Sequence, residues 1–444
     1  MAKNNNDKEN KKPVENQKKE PKQNVDKLQN SELLRLSTAG SVDDGKSTLI
    51  GRMLYDTKSV MKDQYEAIRA TSKKKGEEEV NLAYLTDGLK SEREQGITID
   101  VAYRYFNTAN RKFIISDTPG HVQYTRNMIT GASKSNVAII LVDARKGISE
   151  QTRRHSFIAS LLKIPHVIYA VNKMDLIDYD QDKFNTIRNE LKEFSAKLRC
   201  NDIRFIPISA LKGDNVTTKS QKTPWYKGGH LLQMLENIEI FSDNNLVDAR
   251  FDIQTVIRPH SDKWHDFRGY AGKIVSGSFE KGQKVQVLPS GFETRIKDMR
   301  VYKDLINHAC TPASIVMQLE DDIDAGRGDM IARIDNLPKT SQNFDAMICW
   351  MSENVMLPRK KYLLKHGSNE VTAMITKKVY TLDVNTFSKA DDQSLQLGLN
   401  DIARISIKTS KPINFDDFES NRANGSFILI DTQTNETIAA GMIK

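Results

Sequence analysis

The pattern of apolar and polar positions divides the chain into a first part with helices between strands and a second part made of short strands. In the first part, apolar runs such as 33–38, 113–115 and 137–142 alternate with stretches of helical periodicity. The run 137–142 is apolar throughout, as expected for a strand that is covered on both faces. Strands that alternate with helices indicate β-α-β units and a mostly parallel sheet.

After about residue 247 the pattern changes to short β runs that are separated by turns containing glycine or proline. Residues 251–257, 272–276 and 284–288 are predicted strands of a small antiparallel barrel that ends near residue 334. Further runs, including 346–350 and 426–430, predict a second β domain. We therefore expect an α/β domain with a mostly parallel sheet, followed by two small antiparallel β-barrel domains.

The predicted domains are 28–243, 247–335 and 341–444, and a polar tail, 1–27, precedes them. The tail is rich in Lys, Asn, Gln and Glu and has almost no large apolar side chains. Such a segment cannot bury enough surface to order itself, so we interpret it as a disordered, solvated tail. An arm that contacts an acidic partner is the alternative.

Charge and cysteine content limit the classes of function. A net charge of +8 is modest for 444 residues, and no basic stripe is interleaved with aromatic residues. We therefore expect no nucleic-acid binding. No apolar run approaches the ~20 residues of a membrane span, and the N-terminus lacks the apolar core of a signal peptide. Cys200, Cys310 and Cys349 form no C-x-x-C pair, so we expect a cytoplasmic protein with reduced, buried thiols.

Residues 40–47 match G-x-x-x-x-G-K-[S/T], the pattern of a phosphate-binding loop (P-loop). The glycines let the backbone curl so that successive N–H groups point at phosphate oxygens. Lys46 is predicted to reach the β- and γ-phosphates, and the Ser47 hydroxyl to bind Mg²⁺. The predicted nucleotide contacts of this segment are Gly40, Ser41, Val42, Asp43, Asp44, Gly45, Lys46, Ser47 and Thr48.

Two further segments follow in the order that a GTPase requires. Asp117 begins a D-T-P-G sequence after an apolar strand, where its carboxylate can hold Mg²⁺ through water and the Gly120 N–H can reach the γ-phosphate. Between the two loops, Thr98 can bind Mg²⁺ with its hydroxyl and the γ-phosphate with its N–H. The predicted contacts after the strand are Asp117, Thr118, Pro119 and Gly120, and the predicted metal ligands are Ser47, Thr98 and Asp117.

Two later motifs predict that the base is guanine. In the N-K-x-D sequence 172–175, Asp175 is placed to accept from guanine N1–H and the 2-amino group, Asn172 to reach the Hoogsteen edge, and the Lys173 stem to cover the base. The Ala210 N–H is placed to meet O6. Adenine would leave two or three of these groups unpaired at about 1–3 kcal/mol each, which implies roughly 10²- to 10⁴-fold preference for GTP. The base contacts predicted here are Asn172, Lys173, Met174, Asp175, Ser209, Ala210 and Leu211.

These residues resemble a known family. Asp43 inside the loop and His121 directly after D-T-P-G resemble the translation-factor class of GTPases. The segments 40–52, 92–106 and 266–272 are similar to the large subunit of bacterial sulfate adenylyltransferase, and the resemblance covers about residues 31–444. Elongation factors usually carry His or a small residue where Asp44 stands.

The resemblance implies roles for particular residues. In translation-type GTPases the histidine after D-T-P-G positions the attacking water, so His121 is a further predicted GTP contact and joins Lys46 and Thr98 as the predicted catalytic set. A solvent-facing loop histidine is the alternative for His121.

The resemblance also implies the reaction ATP + sulfate → adenylylsulfate + pyrophosphate. In the family this uphill step is driven by GTP hydrolysis on the large subunit, while ATP and sulfate bind a separate small subunit. The expected cofactors are GTP and Mg²⁺, and the expected partner is that small subunit in a heterodimer or higher hetero-oligomer, with no membrane partner. The alternatives are an elongation-factor-like GTPase that delivers aminoacyl-tRNA and a regulatory GTPase that acts only as a switch.

Overall fold

The computed structural model describes residues 33–76, 80–86, 100–120, 125–198, 200, 202–240, 243–259, 267–357, 359–383, 388–390 and 396–444. The predicted tail 1–27 and the predicted site residues Thr98 and His121 lie outside these ranges.

The first domain consists of a sheet with helices on both faces. Its strands are β1 (Leu33–Ala39), β2 (Ala102–Asn107), β3 (Lys112–Asp117), β4 (Val137–Asp143), β5 (His166–Asn172) and β6 (Asp202–Pro207). Its helices are α1 (Lys46–Asp56), α2 (Lys62–Lys74), α3 (Thr125–Ala132), α4 (Glu150–Leu161), α5 (Gln181–Ser195) and α6 (Leu231–Glu236). Short 3₁₀ helices span Leu82–Leu85 and Met174–Ile177.

The sheet order is β2-β3-β1-β4-β5-β6, which brings the ends of four motif-bearing strands to one edge. All neighbours are parallel except β2 and β3, so the prediction of a mostly parallel sheet is confirmed. Every residue of β4 is buried, and alternate residues enter two different apolar clusters, one on each face. Because carboxyl ends of parallel strands meet at one edge, the loops after β1, β3, β5 and β6 converge there.

The second domain is a closed antiparallel barrel. Its strands are β7 (Arg250–Ile257), β8 (Gly269–Ser276), β9 (Ser278–Glu280), β10 (Lys284–Leu288), β11 (Phe292–Val301), β12 (Asp304–Ile306), β13 (His308–Cys310), β14 (Ser314–Leu319) and β15 (Met330–Arg333). The order β10-β15-β7-β8-β14-β11 closes through pairing of β10 with β11. The short strand β12 pairs with the end of β11.

The third domain repeats this plan with longer strands. They are β16 (Lys339–Trp350), β17 (Lys361–His366), β18 (Asn369–Leu382), β19 (Lys389–Ala390), β20 (Ile402–Phe415), β21 (Ser426–Ile430) and β22 (Thr437–Ile443). The order β17-β21-β22-β16-β20-β18 closes through β17 and β18. The predicted fold class is therefore confirmed, whereas the prediction of three buried thiols is wrong, since Cys200 and Cys310 are only half-buried.

A buried ion pair joins the two barrels. Arg250 on β7 donates from Nε and Nη2 to the Asp416 carboxylate at 3.0 and 2.8 Å, and its side chain is 1% exposed. Asn421 and Asn424 also donate to Asp416 Oδ2, at 2.8 and 2.9 Å. Asn421 further donates to Ser276 Oγ of the second domain at 2.8 Å. The loop after β20 is thus held against the neighbouring barrel by polar contacts.

The same loop reaches the first domain. The Arg422 guanidinium donates to the carbonyl oxygens of Ser135, at 3.2 Å, and of Ser133, just beyond the end of α3. Glu419 pairs with Lys163 at 2.7 Å. Within the ranges given above, no helix combines the length and the apolar character needed to cross a membrane.

We expect Asp416→Ala to destabilise the protein by about 3–5 kcal/mol, because it leaves the Arg250 guanidinium buried without its carboxylate. Urea denaturation of the variant measures the loss. The matched control is Asp335→Ala, which removes a carboxylate of similar geometry, paired with Arg333 but 70% exposed. Equal midpoints for the two variants would contradict a special role for the buried pair.

Candidate nucleotide-binding site

The predicted phosphate-binding loop connects β1 to α1 and has the backbone conformation that its glycine requires. Gly45 has φ of +90°, in the left-handed region, and directly precedes α1. A Cβ at this position would lie 2.4 Å from Asn172 Nδ2, so a larger residue would both strain the backbone and clash. The loop and the N-terminus of α1 thus present backbone N–H groups at the edge where the motifs converge.

The Asp44 side chain braces this loop from inside. Its Oδ2 accepts from the Ser41 N–H at 2.7 Å, and the Asp44 N–H donates to the Ser41 carbonyl oxygen at 3.2 Å. Burial raises the pKa of the Asp44 carboxyl to about 6, although the Ser41 hydrogen bond opposes this. The carboxylate therefore accepts a hydrogen bond from a loop N–H that could otherwise donate to a phosphate oxygen.

The segment after β3 packs directly on the phosphate-binding loop. Asp117 Oδ1 lies 3.9 Å from Lys46 Nζ and accepts from Thr38 Oγ1 at 3.5 Å. A Cβ on Gly120 would lie 2.2 Å from the Gly40 carbonyl oxygen, so this close approach requires glycine. The structure therefore places Lys46 beside the Asp117 carboxylate.

Asn172 has protein partners that the sequence did not predict. Its Nδ2 donates to the Asp44 carbonyl oxygen at 2.7 Å, and its Oδ1 accepts from the Ala210 N–H at 2.9 Å. The prediction placed this amide on the base and the Ala210 N–H on guanine O6, whereas here the two groups bind each other. One side chain therefore ties together the loops that follow β1, β5 and β6.

Lys173 is positioned by an acidic residue that the sequence analysis missed. Asp143, at the end of β4, accepts from Lys173 Nζ at 3.0 Å and from Arg145 Nη2 at 2.7 Å. Burial alone would raise the pKa of Asp143, but the hydrogen bonds from Arg145 and Lys173 outweigh it and hold the pKa below its usual range. A carboxylate at the end of an apolar strand was the available signal. Asp143 fixes the Lys173 stem near half-buried Asp175, which lies in the first turn of the 3₁₀ helix Met174–Ile177.

A second residue that the sequence analysis missed lies under the phosphate-binding loop. His155 on α4 is buried, and burial together with the Lys46 cation lowers its pKa to about 3. The same helix begins after Ser149, whose hydroxyl lies 3.0 Å from that of Ser41. The imidazole is therefore neutral at physiological pH and adds no positive charge behind Lys46.

The structure brings most predicted site residues to one place. Those with contacts between the converging loops are Gly40, Ser41, Asp44, Gly45, Lys46, Asp117, Thr118, Gly120, Asn172, Lys173 and Ala210. Leu211 and Val42 are exposed beside them, and Met174 is buried in the core beneath. The predicted contacts of all these residues with nucleotide or metal stay predictions, as do those of Asp43, Ser47, Thr48, Pro119, Asp175 and Ser209.

We expect Asp44→Asn to be more stable than the wild type at about pH 7.5, by on the order of 1–3 kcal/mol. The folded pKa is about 6, against an ordinary 3.8. Below about pH 4 both states are protonated, and the cost of ionising the buried carboxyl develops as pH rises to about 6. Thermal unfolding of the nucleotide-free proteins across this range measures the difference. A difference that does not grow with pH would contradict the assignment.

Comparisons with known proteins agree with this geometry. The family model described as "Elongation factor Tu GTP binding domain" matches residues 31–250, and that described as "GTP-eEF1A C-terminal domain-like" matches residues 343–444. Among solved structures, the Ski7 GTPase-like domain of S. cerevisiae, bound to GDP and inorganic phosphate, has a TM-score of 0.52 at 17% identity. It covers 95% of this chain and 99% of its own, and it bears on the fold alone.

Curated relatives are much more similar in sequence. The chain is 52% identical over 421 residues to "Sulfate adenylyltransferase subunit 1" of Bacteroides fragilis, covering 94% of this chain and 87% of the relative. It is 54% identical over 412 residues to "Bifunctional enzyme CysN/CysC" of Mycobacterium tuberculosis, covering 93% of this chain and 67% of the relative. The chain therefore belongs to the sulfate adenylyltransferase subunit 1 family of elongation-factor-like GTPases.

Proposed function

We propose that this chain is the GTPase subunit of a sulfate adenylyltransferase. GTP hydrolysis on this chain drives the synthesis of adenylylsulfate from ATP and sulfate on a partner subunit. The observation that carries the proposal is the convergence of the phosphate loop, Asp117 and the 172–175 motif at one sheet edge, in a chain whose relatives bear the subunit 1 name.

The phosphates of GTP are held by the loop backbone and by Lys46. The Lys46 ammonium, already placed 3.9 Å from Asp117, supplies positive charge where the β- and γ-phosphates bind. The oxygen atoms of Ser47 and Asp117 are of the hard type that Mg²⁺ prefers, so this donor set fits the metal. When bound, Mg²⁺ neutralises charge that develops on the phosphate oxygens.

The guanine base is read by Asp175 and covered by the Lys173 stem. Lys173 is held in place by Asp143, so the base meets a preformed side chain. The Ala210 N–H donates to Asn172 Oδ1 in the structure. When guanine binds, this N–H is either shared with O6 or released to it. A site organised in this way leaves groups unpaired when adenine enters and rejects ATP.

Adenylyl transfer belongs to a second polypeptide. The phosphate–sulfate anhydride is high in energy, so its formation from ATP needs a second source of free energy. We assign no ATP or sulfate ligands to this chain and place them on the partner subunit, in a cytoplasmic heterodimer or higher hetero-oligomer. Delivery of aminoacyl-tRNA is not favoured, because the relatives that share half of this sequence over most of its length carry the adenylyltransferase name.

We expect Asp175→Asn to transfer control of adenylylsulfate synthesis from GTP to XTP. The substitution places an amide donor opposite the 2-position, where xanthine carries an oxygen and guanine carries an amine. In the assembled complex, adenylylsulfate yield at equilibrium is measured with ATP alone, with added GTP and with added XTP. The wild type, as control, responds only to GTP. A wild-type yield that is indifferent to GTP would reject energy coupling.

His121→Ala is expected to lower the single-turnover rate of GTP hydrolysis by about 10²-fold or more, the scale of a lost water-positioning or proton-transfer group. Nucleotide affinity should stay within a few-fold of the wild type, because the role proposed for His121 is to position water rather than to bind the nucleotide. Rapid-quench hydrolysis and equilibrium binding separate the two effects. An unchanged hydrolysis rate would leave His121 as an ordinary loop residue.

A further inference from the structure

The hairpin between β11 and β12 carries a tyrosine that its own fold does not use. Val301 pairs with Asp304, so Tyr302 and Lys303 form a two-residue turn. The Tyr302 side chain is 97% exposed, and its φ is +55°. A turn of this length favours glycine, asparagine or aspartate at a position with positive φ. An aromatic residue there is a conformational outlier.

Neither packing nor the backbone accounts for this residue. In the part of the chain that the structure describes, Tyr302 makes no ring contact and no side-chain hydrogen bond. Glycine would remove both the strain and the exposed aromatic surface. Residues held in unfavourable conformations at no benefit to the fold are concentrated at functional sites. The observed outlier therefore points to a use outside the isolated chain.

The tip continues into a row on the outer face of the barrel in which three apolar residues accompany Arg300. Leu305 is 57% exposed and lies opposite Arg300, whose other neighbour across the sheet is Val316. Val316 in turn lies opposite Ala271 on β8. The inward residues of these strands, such as Met299 and Met317, form the core, so the row faces away from it.

We propose that Tyr302 and the row Leu305, Arg300, Val316 and Ala271 form the docking surface for the partner subunit. Tyr302 is the anchor, and it enters an apolar pocket of that subunit. The identity of the occupant rests on the function proposed above. Tyrosine suits this role, since a large rigid ring with a polar tip dominates the energy of many interfaces.

Charge identifies the kind of surface that fits. Arg300 lies in the row and Lys303 lies in the turn, and Asp304, which follows Lys303, is opposite Val301, so the hairpin tip carries two cations and one anion. A second copy of this chain would present the same net positive charge at this tip, which disfavours self-pairing. The subunit that fits carries an acidic rim around the pocket for Tyr302.

The decisive variant is Tyr302→Gly, because strain and docking predict effects of opposite direction. We expect its melting temperature to equal or exceed that of the wild type, since glycine tolerates positive φ. GTP hydrolysis by the chain alone should be unchanged. The Kd for the purified partner subunit, measured by titration calorimetry, should rise tenfold or more. Tyr302→Phe should restore affinity to within about threefold, and Lys303→Glu should weaken it.

Phe292→Ala is the matched control. Phe292 is an exposed aromatic, at 62%, on the same strand, but it lies ten residues away, roughly 30 Å along an extended chain. Its partner affinity should equal that of the wild type. If Tyr302→Gly also binds the subunit as the wild type does, the docking proposal is overturned while the proposed function stands.

Other results would show that the proposed function, or the identity of the partner on this surface, is wrong. A wild-type chain that binds no such subunit would overturn the proposed function and the docking surface with it. A complex that forms, but whose adenylylsulfate yield does not respond to GTP, would overturn the proposed function and leave the docking surface to be judged by the Tyr302→Gly affinity. Sedimentation of the chain alone tests the remaining occupant. A wild-type dimer that Tyr302→Gly converts to monomer would assign the surface to a second copy of this chain instead.

Discussion

The nucleotide site depends on one side chain, the carboxamide of Asn172. It donates to the Asp44 carbonyl oxygen and accepts from the Ala210 N–H, so it connects three loops that are 38 or more residues apart in sequence. Gly45 leaves it the space to do so. A buried amide with both of its groups satisfied is strongly directional, because each unsatisfied group would be costly. The position of the phosphate loop relative to the base-binding loops therefore follows from this amide.

The placement of the barrels follows from a second set of buried polar contacts. A buried ion pair such as Arg250–Asp416 adds little net stability over an apolar pair, but it tolerates few geometries. The loop that carries Asp416 also carries Arg422, which donates to carbonyl oxygens just beyond α3. That helix begins five residues after Gly120, which packs on the phosphate loop. One short stretch of chain thus lies between the predicted γ-phosphate contact and a contact with the third domain.

The sequence predicted the local parts of this structure and not the connections between them. The phosphate loop and the strands that lead into the motifs follow from spacing and apolar runs, which short segments specify by themselves. Asp143 with Lys173, and Arg250 with Asp416, 166 residues away, depend on which loops the fold brings together. Periodicity also did not distinguish β2 as an antiparallel edge strand, because the pattern of an apolar face is the same in either direction.

Backbone strain separates the residues that serve the fold from those that serve a partner. Lys58 and Lys163 have positive φ shortly after α1 and α4 end, where the left-handed conformation commonly closes a helix. Tyr179 has the same φ of +55° as Tyr302, yet its hydroxyl donates to Asp214 and its ring lies under the Lys222 ammonium. Those contacts offset the strain within the domain. Tyr302 has the same φ but is 97% exposed and has no such contacts among the described residues, so the contact that would offset its strain is the one proposed with a partner.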